Sequence, residues 1–207
     1  MEAKPIPRKR TALFLALLTA LFCPGWAETW DAIQQSAGRL TSIQAEFIQE
    51  KHMAILARPL ISRGRFYYQA PGSLRWEYEA PIRSILMVDN DRLKHYVQRK
   101  DKLVEDTGIQ LQSMQIVLQE ISGWLNGRFR DNPAFDPVLE PNRKITLIPK
   151  EKAFAAFIEK IELILSDKIG IIDAVLIYES SDSYTKLVFQ NVVANDKIPA
   201  KVFRDIQ

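Results

Sequence analysis

The sequence predicts an α+β fold: one curved antiparallel sheet of about ten strands with helices on one side. Three observations point there. Short runs of alternating apolar and polar residues, bounded by turn residues, recur along most of the chain. Only two segments, one early and one central, space their apolar residues as helices do. No repeat, low-complexity tract or linker divides the chain, so its 207 residues read as one domain once an N-terminal leader is set aside.

That leader is residues 1–27. Lys4, Arg8, Lys9 and Arg10 make a basic start, residues 11–22 a short apolar core, and Gly25-Trp26-Ala27 a small-residue exit. This is the order of a cleavable export signal. The alternative, a membrane anchor, needs about 20 apolar residues, more than this core supplies. Cys23 could begin a lipidated N-terminus, but bulky Phe22 precedes it, and it is read as part of the discarded leader. The domain, residues 28–207, then has no cysteine, which removes disulfides, thiol catalysis and thiolate metal sites. The leader holds four of the 28 basic and one of the 25 acidic residues, leaving 24 of each. A balanced domain offers no basic footprint for nucleic acid.

The elements follow in order. Thr29 can cap a short helix with Trp30, Ile33, Ala37 and Leu40 on its apolar side. From Ser42 the period becomes two, with Ile43, Ala45, Phe47 and Gln49 on one face. Strands are expected at 61–69, 74–79, 82–88 and 92–98, with turns at Pro71-Gly72, Ala80-Pro81 and Asn90-Asp91. Residues 74–79 alternate most cleanly: Leu74, Trp76 and Tyr78 against Arg75, Glu77 and Glu79, which predicts one dry and one wet face. Residues 110–125 carry Leu111, Met114, Val117, Leu118, Ile121, Trp124 and Leu125 at helical spacing, stopped by Asn126-Gly127. Strands return at 134–140, 144–149, 154–165, 171–179 and 184–193, with hairpin loops at 167–170 and 180–183.

Most catalytic chemistry is missing. The two histidines, His52 and His95, are too few for a histidine-rich metal site, and His95 alternates with Leu93 and Val97 as a sheet-face residue does. No nucleophile elbow, phosphate loop or dinucleotide fingerprint occurs, and no metal or cofactor is expected. Glu77 and Glu79 could act as paired carboxylates, but a solvated face shared with Arg75 accounts for them.

The apolar faces are rich in aromatic and flexible residues: Phe47, Phe66, Tyr68, Leu74, Trp76, Tyr78, Met87, Leu93 and Phe157. An ordinary packed core would use the same types. A long sheet curling on itself, however, encloses more space than one or two short helices fill, which predicts a cavity lined by this set and covered by Met114 and Leu118.

The same residues carry a resemblance. Ala45-Glu46-Phe47-Ile48-Gln49-Glu50-Lys51 follows a short helix. Then come Gly64-Arg65-Phe66-Tyr67-Tyr68, Ala70-Pro71-Gly72-Ser73-Leu74-Arg75-Trp76-Glu77-Tyr78 and Pro81. Val88-Asp89-Asn90, Leu93 and Tyr96 follow, and Asn191-Val192-Val193 and Ile198-Pro199 with Phe203 come late. In order and spacing this resembles the LolA family of periplasmic outer-membrane lipoprotein carriers, over nearly all of residues 28–207.

The resemblance implies an unclosed, strongly curved antiparallel β-barrel of about 10–11 strands with an α-helical lid over a hydrophobic cavity. It implies a monomeric, non-enzymatic carrier of an acylated lipoprotein or other amphiphilic lipid, working between an inner-membrane transporter and an outer-membrane acceptor. Leu74 and Trp76 match cavity-lining positions. The arginine that in the best-known carriers precedes the motif proline and holds the lid closed is here Ala70. That departure leaves open a carrier or sensor of another amphiphile, such as a glycolipid, on the same fold. A lipid esterase is a third reading, set back by the missing nucleophile.

Overall fold

The computed structural model describes residues 29–89, 92–106, 120–130, 132–168 and 170–206. The expected leader, residues 107–119 with Met114 and Leu118, and the expected turn at Asn90-Asp91 lie outside them.

Eleven strands appear among the described residues. The first half contributes β1 (Ser42–His52), β2 (Leu60–Gln69), β3 (Ser73–Ala80), β4 (Ser84–Asp89), β5 (Arg92–Arg99) and β6 (Lys102–Glu105). The second contributes β7 (Phe135–Glu140), β8 (Lys144–Pro149), β9 (Lys160–Leu165), β10 (Ile172–Ser180) and β11 (Ser183–Ala194). They form one antiparallel sheet in the order β6-β5-β4-β3-β2-β1-β11-β10-β9-β8-β7. Each half is a meander of neighbouring strands, and the pairing of β1 with β11 joins the two, with Phe47 opposite Phe189. The edge strands β6 and β7 do not pair, so the sheet is not closed into a barrel.

This topology puts helical cover on the concave side. The chain must pass from one sheet edge to the other between β6 and β7, and residues 120–125 of that passage are helical. At one end the helix α1 (Trp30–Ala37) docks, started by Thr29, whose hydroxyl accepts from the Ala32 amide at 3.3 Å. Its Ile33 and Ala37 are fully buried. The segment after residues 120–125 meets α1 closely: Gly127, at φ 74°, lies where a Cβ would stand 2.7 Å from the Gln34 carbonyl oxygen. Only glycine takes that conformation and that approach together. Trp30 and Phe129 complete the contact, ring centroids 6.5 Å apart.

Gly64 is the other position where a missing side chain shapes the sheet. A Cβ there would stand 1.9 Å from the Glu77 carbonyl oxygen and 2.8 Å from Phe47 Cζ. The register of β2 on β3 shifts between Arg63 and Gly64, and the Phe47 ring lies edge-on to Tyr78 with centroids 5.1 Å apart. The bulge and the bare glycine let this ring settle onto the strand pair.

Three expectations need correction. The run 154–165 is not one strand: a short helix α2 (Lys152–Ala155) and a turn precede β9, and Phe154 packs on Phe135. β6 was not anticipated; its four residues present only Leu103 and Val104 as apolar signal. Nor is the outer face of β3 wet at Arg75 and Glu77, although Glu79 is exposed as expected. Arg75 and Glu77 are buried beneath the C-terminal 3₁₀ turn Ala200–Phe203. Arg75 donates to Glu77 at 2.7 and 2.9 Å and to the Val202 carbonyl at 3.0 Å, and also reaches the Asp205 carbonyl. Arg83 donates twice to the other Glu77 oxygen, both at 3.0 Å. Glu77 is therefore held by two guanidiniums as a structural anion, not paired with Glu79, which meets Arg65 at 3.1 Å.

Candidate functional site

The concave face encloses a cavity of about 460 Å³, within the ~300–1,000 Å³ of small-molecule sites. Its walls come from alternation propagated across the sheet. Ala45, Phe66, Trp76, Leu86 and His95 stand in register across β1 to β5 and face inward. The facing wall is built by Val175 and Ile177 of β10 and by Thr185, Leu187 and Phe189 of β11. Ile121, Trp124 and Leu125 line it from residues 120–125.

The cavity has two unlike ends. At the end of Ile43 and Val192 it is bounded by Ile121, Trp124, Leu125 and Ile171. Trp124 Nε1 is buried there with no hydrogen-bond partner among the described residues. At the other end the lining turns polar, with Gln49, Lys51, Ser84, Glu179 and Thr185. Lys51 and Glu179 pair at 3.1 Å with side chains 35% and 37% exposed, so the cavity reaches the surface here. Between the ends the Tyr78 hydroxyl donates to Gln49 Oε1 at 2.7 Å. Burial pushes the Tyr78 phenol up to about 12, which keeps it a neutral donor.

The sequence-derived residues divide. Phe66, Trp76 and Tyr78 line the cavity. Phe47 is buried directly behind them, its ring 5.1 Å from those of Trp76 and Tyr78. Tyr68 and Leu74 are fully exposed to neither water nor cavity: both are in the packed core, and Tyr68 donates to Asn126 at 2.8 Å. Leu93 is partly buried against the same core. Met87 is a correction. It stands opposite Arg75 on the outer face, 3.7 Å from that guanidinium, and Leu86 takes the inward place. Phe157 is a second correction, 75% exposed in the turn before β9. Met114 and Leu118 lie outside the described residues. Missed altogether was the β10–β11 wall, whose alternation is visible but whose position opposite β3 is not.

Acid–base chemistry has a thin basis here. Ser84 and His95 line the cavity and His95 Nδ1 lies 3.4 Å from Asp106, but no hydrogen bond joins Ser84 to His95 among the described residues. No cluster of His, Cys, Asp or Glu that could hold a metal occurs among the described residues, and none of their helices is long and apolar enough to cross a membrane.

An open antiparallel sheet wrapped on an apolar cavity, with helical residues at one end and polar residues at the other, defines a cavity-bearing half-barrel protein. The chain belongs to the LolA family: residues 38–205 match the model described as outer membrane lipoprotein carrier protein LolA. No curated protein is similar enough to count as a relative. Solved structures resemble it at low identity. A DUF1329 family protein from Desulfovibrio piger has a TM-score of 0.48 and 8% identity, over 84% of this chain and 95% of that one. A putative outer membrane lipoprotein-sorting protein domain from Vibrio parahaemolyticus has 0.46 and 8%, over 84% and 94%. A LolA superfamily protein from Nitrosomonas europaea has 0.42 and 11%, over 86% and 99%. Family membership rests on the sequence match.

Proposed function

We propose that the protein is an exported periplasmic carrier, not an enzyme, that shields the acyl chains of a lipoprotein or related amphiphile during transfer toward the outer membrane. One observation carries the reading: an apolar cavity of about 460 Å³ that is lined by helical residues 121–125 at one end and reaches the surface through polar residues at the other. Such a shape suits an amphiphile, with chains inward and headgroup at the polar end. The physical need is large, because each methylene contributes about 0.8 kcal/mol to staying in a membrane. Phe66, Trp76, Leu86, Leu187 and Phe189 replace the bilayer by apolar contact without directional bonds. Forward transfer needs an acceptor that binds more tightly than the carrier, so affinity should be moderate. The leader at 1–27 supports export, and the family match supports a lipoprotein as cargo.

Ala70 favours a second reading, a glycolipid carrier or sensor on the same fold. It holds the position where the best-known carriers place their lid-closing arginine, and its amide donates to the Thr41 carbonyl at 2.9 Å. Native mass spectrometry of protein purified from its own periplasm tests both. The carrier reading expects acyl-bearing adducts that a fluorescent fatty-acyl probe displaces. Acylated peptide supports a lipoprotein, glycolipid supports the second reading, and protein that neither carries acyl species nor binds the probe contradicts both.

A further inference from the structure

The cavity's polar end is also where the molecule shows its most exposed apolar residues. The β1–β2 hairpin projects past Lys51, which pairs in register with Leu60. Ile55 is 84% exposed at its tip, with Leu56 at 40% and Leu60 at 54%. Its residues 53–61 hold one charged side chain, Arg58, and no acid. Arg58 makes no ion pair with the described residues. Phe157 belongs to the same end, because it lies three residues before Lys160, and Lys160, Tyr178, Tyr184 and His52 stand in register across β9, β10, β11 and β1.

That register row is itself amphipathic. His52 stacks on Tyr184 with centroids 4.3 Å apart, Tyr184 meets Tyr178 at 5.8 Å, and Lys160 sits 4.4 Å over the Tyr178 ring. Along the strands, this end therefore offers apolar tips, then a band of tyrosines and cations on the convex face, with the cavity opening beside Lys51 and Thr185 at the same level on the concave face. Rings with an apolar body and a polar edge, next to snorkelling cations, suit the headgroup level of a bilayer. Exposed aliphatic tips beside Arg58, on a stretch that holds no acid, suit the acyl boundary and lipid phosphates.

We infer that this end is a docking surface for a phospholipid bilayer: Ile55, Leu56 and Phe157 enter the headgroup–acyl boundary while Arg58 meets phosphates. This rests on the carrier reading and deepens it, since docking there sets the cavity opening against the membrane. An acyl chain could then pass between bilayer and cavity with little exposure to water. The continuity of tips, band and opening favours a bilayer over a protein groove, and the positive charge of the hairpin favours a lipid surface that carries phosphate.

Flotation with vesicles of phosphatidylethanolamine and phosphatidylglycerol tests this on the processed chain, in parallel with binding of the fluorescent fatty-acyl probe. The parent should float. Ile55→Asp/Leu56→Asp should partition at least about tenfold more weakly while binding the probe as the parent does. Emission of an Ile55→Trp variant should shift to the blue on adding vesicles. A parent that stays with the soluble fraction, or a double variant that floats equally well, overturns docking and leaves the carrier reading standing. So does a parent that self-associates through Ile55 and Leu56, which would make the face a contact between two copies, or a double variant that also loses the probe. Flotation with no probe binding by the parent removes the carrier reading and leaves the docking surface in place.

Discussion

Gly64 shows how much of this molecule is set by single side chains. Its missing Cβ leaves room for the Glu77 carbonyl, 1.9 Å from where that atom would stand, and for the Phe47 ring. Backbone cannot move aside as a flexible side chain can, so Gly64→Ala should cost at least about 3 kcal/mol, above the usual overpacking range, in denaturant unfolding. Leu74, expected from sequence to line the cavity, is fully buried in the packed core. Leu74→Glu should therefore lower stability by several kcal/mol; a thermal melt close to the parent's would place Leu74 at the cavity after all. Tyr78 makes a pH prediction. Its phenol is raised from 10.0 to about 12 by burial. The neutral form's contribution is complete below the unfolded value and is lost as pH rises through the folded one, a gap worth about 2–3 kcal/mol. Tyr78→Phe should lose correspondingly less stability than the parent between pH 10 and 12, and parallel curves would contradict the burial. Alternation sufficed to place Phe66, Trp76 and Tyr78 on one face. It failed at Met87 because β4 reads Ile85-Leu86-Met87-Val88, apolar on both sides.

The reason for that double-sided strand lies at the scale of elements. The 3₁₀ turn Ala200–Phe203 covers the outer faces of β3 and β4, so Arg75, Glu77 and Met87 are buried where the sheet would otherwise be wet. A sequence period reports one buried face, and nothing local to β3 says that a strap from the far end of the chain will cover the other. Arg75 is the tie: it reaches two carbonyls of the C-terminal segment and shares Glu77 with Arg83. Arg75→Met should release residues 200–206 before the sheet unfolds, at about 1–3 kcal/mol because Arg83 still neutralises Glu77. Hydrogen exchange would show faster exchange there with little change in the central strands; unchanged protection would mean the strap is held by Phe203 and Ile198 alone. The run 154–165 was misjudged for a different reason. Four helical residues are too few to establish a helical period, and Phe157, turned outward, broke no pattern that an apolar strand would not share.

For the whole molecule, the meander β1–β5 and its curvature were legible, since neighbouring strands with tight turns need no long-range information. The pairing of β1 with β11 was not, because it joins residues about as far apart in sequence as the sheet allows. That one ladder turns two meanders into a single concave wall, sets Leu187 and Phe189 across from Trp76, and creates the cavity that neither half contains. The polarity of its two ends follows from the same register, which places Lys51, Thr185 and Glu179 together. Whether this space holds acyl chains is tested most directly by filling it. Val175 faces the cavity from β10, and Val175→Trp would occupy much of it from one wall. Titration of a fluorescent fatty-acyl probe into parent and variant should show saturable binding by the parent and at least about tenfold weaker binding by a Val175→Trp protein with the parent's circular dichroism and cooperative melt. A folded Val175→Trp protein that binds the probe as tightly as the parent would contradict the assignment of the cavity as the acyl site.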